Sequence, residues 1–384
     1  MSNKLERLFL SGNLQVGIYL LINCLFIFKY LSRVANYGII ASFCYCGLII
    51  LTLYGTNRIF NAKFKANIYK IFTFVLLGLI IISIITILHH VNPYQVKVDR
   101  WSAVTFFLDH LFNGNYPYAA HTHTSVTNFP SPFPFWYVIN LPFYLLNDVG
   151  IGLIFFLLLI FYAIYIFTSS FKSSFLFILL LALSPAYWWE VWVRSDGLSN
   201  AILVYATIIV LYQKQYTLQN KPALNGIISG FIAATRLSAI LPLAIYYFRD
   251  FLKLKFSKKL IFILLSIFIP VLFFLPFIFW GGDTSTFIGR NPFMSQTSYG
   301  SRYILLIMLL IGILFSLTWK DIRAFMGATS FFILLFMLIS QTVLLLQEGR
   351  SDWIESHYLD VSYFTLCFPY CLTVIVSKYR ADSC

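Results

Sequence analysis

Two short stretches set carboxylates, guanidinium groups and aromatic rings at spacings that suit chemistry at a membrane surface. The first is Val98-Asp99-Arg100-Trp101, which opens a run to Phe112 with Asp109 and His110 near its end. Asp99 follows an apolar helix by about ten residues and precedes a shorter one, so it is partly shielded from water, a placement that suits a general base. The competing role is the N-cap of the helix beginning at Trp101, for which aspartate is favoured. The second stretch is Ser184 to Asp196, where Tyr187, Trp188, Trp189 and Trp192 precede Arg194-Ser195-Asp196. Tryptophan and tyrosine gather where hydrocarbon meets water. Arg194 and Asp196 there would hold an anionic head group and brace a neighbour, or else form a plain interfacial ion pair.

Four further arginines, Arg236, Arg290, Arg302 and Arg350, lie on or between apolar segments. The guanidinium fork donates two hydrogen bonds in fixed geometry, which fits phosphate. Arg236 stands out because an idle charge at mid-depth in a membrane is costly. Tyr116 and Tyr118 flank Pro117 in the same outer loop as Asp99. His121, His123 and His357 carry metal-ligating nitrogens without a neighbouring carboxylate cluster. No metal site is expected, no cofactor is expected, and a divalent ion is not favoured. The chain has no glycine-rich phosphate loop, zinc signature or serine elbow, so nucleotide-driven pumping has no support.

The elements that position these residues are mostly membrane helices. Of 384 residues, 60% are hydrophobic and 11% charged, against about a quarter charged in soluble domains. Runs such as 71–88, 151–168, 259–280 and 331–346 approach the roughly 20 residues that cross hydrocarbon. Continuous rather than alternating apolarity excludes a closed barrel. The expected fold is an all-α polytopic membrane protein with about twelve transmembrane helices, and its partners include the lipid bilayer and no nucleic acid. The net charge of +13 reads as loop lysines and arginines obeying the positive-inside rule. No cleavable signal peptide is apparent. Cys24, Cys44, Cys46, Cys367 and Cys371 lie in apolar segments and read as small core hydrophobes; Cys384 lies beyond them.

Two pieces fail as ordinary spans. Residues 134–146 are too short, and prolines at 130, 132 and 134 forbid a helix before about Pro134. Residues 223–248 are interrupted at Thr235-Arg236. Treating the first as an interfacial or re-entrant helix, and the second as two short helices meeting at Arg236, puts most basic residues on one side. Both termini are then cytoplasmic, and Asp99 shares the outer face with Arg194 and Asp196. The stretch Trp101–Phe112 is expected to lie on the bilayer surface as an amphipathic helix, with Phe106, Phe107, Leu108, Leu111 and Phe112 toward lipid and Asp109 toward water.

These residues carry a family resemblance. Asp99-Arg100-Trp101, Gly114-Asn115-Tyr116-Pro117-Tyr118, Pro132-Phe133-Pro134-Phe135 and Leu141-Pro142-Phe143-Tyr144 resemble the first outer loop of GT-C membrane glycosyltransferases, of the polyprenyl-phosphate-sugar-dependent, mannosyltransferase-like kind. Ser184-Pro185 with Arg194-Ser195-Asp196 is similar to their second outer loop, and 230–236 to a further stretch. The resemblance spans roughly 71–302, a GT-C-like core with outer loop 90–146. Residues 1–60 add two helices before it, and 303–384 add C-terminal ones.

The resemblance implies inverting sugar transfer from a polyprenyl-phosphate donor to a cell-envelope glycan or lipid-linked acceptor, on the outer face of a bacterial inner membrane. It makes Asp99 the catalytic carboxylate. Arg100, Tyr116, Tyr118, Arg194, Asp196, Arg236 and Arg302 become substrate-binding candidates. Arg100 after Asp99, where many members have a second acidic residue, departs from the metal-binding pattern. The alternatives are a transporter or flippase of a lipid-linked or anionic substrate, for which paired halves are wanting, and a scaffold without chemistry.

Overall fold

A chain in hydrocarbon must satisfy each backbone N–H and C=O within itself, so continuous apolar runs become helices. The computed structural model describes residues 2–34, 37–61, 66–280, 284–297, 302–317, 319, 321–347 and 360–379. Among these residues the fold is all-helical, with no strand. Seven described helices are long and apolar enough to cross a membrane: Gly12–Leu31, Gly38–Phe60, Asn67–His90, Val149–Thr168, Phe256–Ile278, Ile322–Leu346 and Val361–Tyr379. An eighth arises if Phe171–Ala182 and Pro185–Trp192, bent by 66° at Ser184, form one span. The other apolar segments read from the sequence fold as shorter helices, Gly197–Gln213, Pro222–Ala233, Ile240–Leu252 and Arg302–Ser316. The protein is therefore a polytopic helical membrane protein.

The chain divides into two compact units, each discontinuous in sequence. The first comprises Met1–Ile84, Leu158–Glu190 and Thr318–Cys384. Side-chain hydrogen bonds tie its apolar helices together. Tyr19 donates to Leu180 O at 2.6 Å and accepts from Tyr45 at 2.9 Å. Asn23 Oδ1 accepts from Ser184 Oγ at 2.6 Å and Ala186 N at 3.2 Å. Ser330 donates to Gln15 at 2.6 Å. Away from water, such groups need partners inside the protein.

The second unit comprises Ile85–Leu157 and Val191–Leu317 and holds the candidate chemistry. Its helix Arg100–Phe112 buries Trp101, Val104, Phe107 and Leu108, positions i, i+3, i+6 and i+7 of one helical face. This corrects the expected placement of Phe107 and Leu108 against lipid: both are inside the protein, while Phe112 is exposed. Asp109 is also not simply solvated, since its Oδ1 accepts from Tyr144 at 2.7 Å.

The two irregular pieces of the sequence meet here. The helix Pro134–Leu145 begins at the last of the three prolines. The stretch around Arg236 breaks into Pro222–Ala233, an extended Arg236 and a turn leading to Ile240–Leu252. A helix start has N–H groups without partners and a helix end has carbonyls without partners. Each satisfies the other: Phe133 N donates to Thr235 O at 2.9 Å, and Phe135 N to Ala234 O at 3.1 Å. The Gln296 side chain clamps the same junction, accepting from Leu237 N at 2.7 Å and donating to Ser131 O at 2.6 Å.

Candidate active site

Asp99 occupies the N-cap position of Arg100–Phe112, but its side chain makes no capping bond. Its backbone carbonyl accepts from Ala103 N at 2.9 Å and lies 2.9 Å from Ser102 Oγ. The carboxylate turns to the loop instead, and Oδ2 accepts from Thr122 Oγ1 and Asn128 Nδ2, both at 2.9 Å. The residue is half-buried, and Oδ1 has no hydrogen bond among the described residues. The loop folds back to reach it: Thr122 N donates to Asn128 O at 3.0 Å.

Arg100 carries the connection onward. Its Nη1 donates to Ser195 Oγ at 3.2 Å. A Cβ at position 197 would lie 2.6 Å from that Nη1, so Gly197 leaves room for the guanidinium. Ser195 sits between the two charged residues of the second motif, and both of those are buried. Arg194 has φ 49°, a left-handed conformation that costs a non-glycine residue on the order of 1–3 kcal/mol. Its side chain holds it there, Nε donating to Asp148 Oδ2 at 3.2 Å and Nη2 to Leu88 O at 2.7 Å. The latter bond places a cation on the carbonyl end of the helix Ala66–His90, the favourable end for positive charge.

Asp196 starts the helix Gly197–Gln213, and again no side-chain cap forms. Oδ2 accepts from Trp136 Nε1 at 2.6 Å and from Arg236 Nη2 at 2.5 Å. Asp196 and Arg236 are 7% and 8% exposed, so the ion pair is desolvated. Its satisfaction is incomplete: Asp196 Oδ1, Arg236 Nε and the nearby Tyr137 hydroxyl are buried without a hydrogen bond among the described residues.

A cavity of about 10 Å³ is lined by Trp101, Asn140, Arg194, Ser195, Asp196 and Ser199 among others. That is the room of one water and far less than a phosphate or sugar needs. Trp101 Nε1, Arg194 Nη1 and Asp196 Oδ1, two donors and an acceptor, are unpaired buried atoms of its wall residues.

The structure thus joins Asp99, Arg100, Ser195, Asp196 and Arg236 in one chain of contacts, with Arg194 beside it. It does not gather Tyr116 and Tyr118 at Asp99. Tyr116 O lies 3.3 Å from His110 Nδ1, roughly 16 Å along the helix from Asp99 at 1.5 Å per residue. The Tyr116 hydroxyl is buried and unpaired, and burial pushes its pKa up to about 12. Tyr118 is 1% exposed, donates to Pro132 O at 3.1 Å and packs on Phe107 and Phe277. Arg302 begins a helix, but its side chain lies outside the described residues, as do Arg350, His357 and Cys384. Both ring nitrogens of His123 are engaged, with Ser102 and Val96.

Sequence reasoning missed Thr122 and Asn128, the donors to Asp99, and Trp136 and Asp148, the partners of Asp196 and Arg194. Thr122 and Asn128 lie in a polar link where no spacing rule distinguishes them from their neighbours. Trp136 carried one signal, the need of a buried indole N–H for an acceptor. No protein-family model, curated protein or solved structure matches the chain.

Proposed function

We propose that the chain is an inverting GT-C-type glycosyltransferase that moves a hexose or pentose from a polyprenyl-phosphate donor to a glycan or lipid-linked acceptor. Asp99 is the base. The observation that supports this most is its carboxylate, half-exposed, with one oxygen held by two neutral donors and the other without a hydrogen bond among the described residues. Oδ1 takes the proton of an acceptor hydroxyl as that oxygen attacks the anomeric carbon. The bond from that carbon to the phosphate oxygen breaks on the opposite face, which inverts configuration, and the phosphate departs with the electron pair.

Cations near the leaving phosphate stabilise its growing charge, and Arg100 and Arg302 fill that role. Arg194, Asp196 and Arg236 act as the frame behind them, each held in a buried or half-buried ion pair. Apolar helices take the prenyl tail. In the full reading about twelve helical segments cross a bacterial inner membrane, both termini are cytoplasmic and Asp99 faces outward.

The test is sugar transfer from polyprenyl-phosphate hexoses in proteoliposomes. The wild type forms a glycosylated product and Asp99→Asn, equally well folded, does not. A substrate that crosses sealed vesicles chemically unchanged, with Asp99→Asn as effective as wild type, sinks the enzyme reading in favour of a transporter.

A further inference from the structure

We propose that His123 is a positioning residue for Asp99, and that its protonation sets the direction of the hydrogen bond beneath the base. This rests on the reading of Asp99 as the base. The His123 ring sits against Trp101 at 5.0 Å and Tyr94 at 6.2 Å between centroids. Its Nε2 is 2.8 Å from Val96 O. A carbonyl can only accept, so Nε2 carries a proton and the tautomer is fixed. Nδ1 is 2.7 Å from Ser102 Oγ.

Ser102 is fully buried, and its Oγ also contacts Asp99 O at 2.9 Å and accepts from His123 N at 3.3 Å. A serine hydroxyl has one proton to give. With a neutral ring, Ser102 donates to Nδ1, and its bond to the Asp99 carbonyl is unmade. With an imidazolium ring, Nδ1–H donates to Ser102 Oγ, which donates to Asp99 O, and each donor meets an acceptor. One proton on His123 therefore decides whether Ser102 holds the first carbonyl of the Asp99 helix. The ring also pins the link whose neighbouring residue, Thr122, donates to Asp99 Oδ2.

Among the described residues, the side chains of Tyr94, Trp101 and Ser102 lie against the ring. The charged residues of that strand of chain are Lys97, Asp99 and Arg100, and the ring's own link carries His121. Asp99 is the group coupled to the ring through both Ser102 and Thr122.

Two readouts on the full-length protein in lipid nanodiscs test this. The first needs no substrate: amide hydrogen exchange of peptides covering 120–130, corrected for intrinsic rates. Protection in the wild type is expected to change at least threefold between about pH 5 and pH 8. In His123→Phe it is expected to be at least tenfold lower and independent of pH. Wild-type protection that ignores pH, or an unchanged His123→Phe, overturns the proposal.

The second is transfer from a radiolabelled polyprenyl-phosphate hexose. His123→Phe is expected to lower kcat at least tenfold with KM within twofold, and His123→Asn, which keeps a group facing Ser102, to recover part of the loss. Asp99→Asn separates the two ideas. If Asp99→Asn retains activity, the base assignment falls and hydrogen exchange alone judges His123. If Asp99→Asn is inactive and His123→Phe keeps full kcat, the assignment stands and the His123 proposal falls.

Discussion

Asp99 and Asp196 each stand at the start of a helix, and neither uses its side chain to cap it. Their surroundings are opposite. Asp99 is half-buried, touches two neutral donors and keeps one oxygen without a hydrogen bond among the described residues. Asp196 is buried and bound through one oxygen to an indole and a guanidinium. A carboxylate beside neutral donors with an open oxygen can receive a proton without breaking an ion pair. A carboxylate locked to an arginine cannot, because protonating it strands a buried cation. The same residue in the same local position thus serves reaction in one place and architecture in the other.

That contrast is broken most strongly through rate. Asp99→Asn is expected to reduce transfer by a factor of about 10² to 10⁴, the usual contribution of a general base, with no change in thermal unfolding. Asp196→Ala should do the reverse and destabilise the fold by about 3–5 kcal/mol, because Arg236 is left buried without its partner; thermal or denaturant unfolding in lipid reads this. A paired Asp196→Leu, Arg236→Met replacement should restore much of that stability. If it stays as unstable as the single variant, the pair does more than fill and neutralise its site.

Thr122→Val removes one of the two donors to Asp99 and is expected to lower kcat by roughly five- to tenfold, about 1 kcal/mol, with unfolding unchanged. The smallest effect belongs to the far end of the same helix. The hydrogen bond from Tyr144 to Asp109 raises the phenol pKa to about 12, with burial a lesser cause. The raised value favours the protonated folded form, so this contribution is fully present below about pH 10 and is lost as pH rises from there toward about 12. Tyr144→Phe should flatten stability over that window alone.

Much of this arrangement is legible before any coordinates. Proline chemistry alone places the helix start at Pro134, and the cost of a mid-depth charge marks the break at Arg236. What those local rules do not carry is that the two irregular pieces complete one another, helix start against helix end, through Phe133, Phe135, Ala234 and Thr235. The candidate site is legible in part for the same reason. Asp99 and Asp196 stand out by residue type and position. Which of them is open depends on Thr122, Asn128, Trp136 and Arg236, residues 23 to 60 positions away. The amphipathic reading of 101–112 identifies the helix but not its neighbours, so Phe107, stacked on Tyr137 at 3.4 Å, goes to the protein interior instead of lipid.

The most direct test is the structure of the protein in lipid nanodiscs with a polyprenyl-phosphate bound. The account predicts phosphate density beside Arg100, within one sugar's length of Asp99 Oδ1, and an Asp196–Arg236 pair that stays closed. Phosphate seated on Arg236 with that pair opened, and none near Asp99, would contradict it by making the buried pair the binding site.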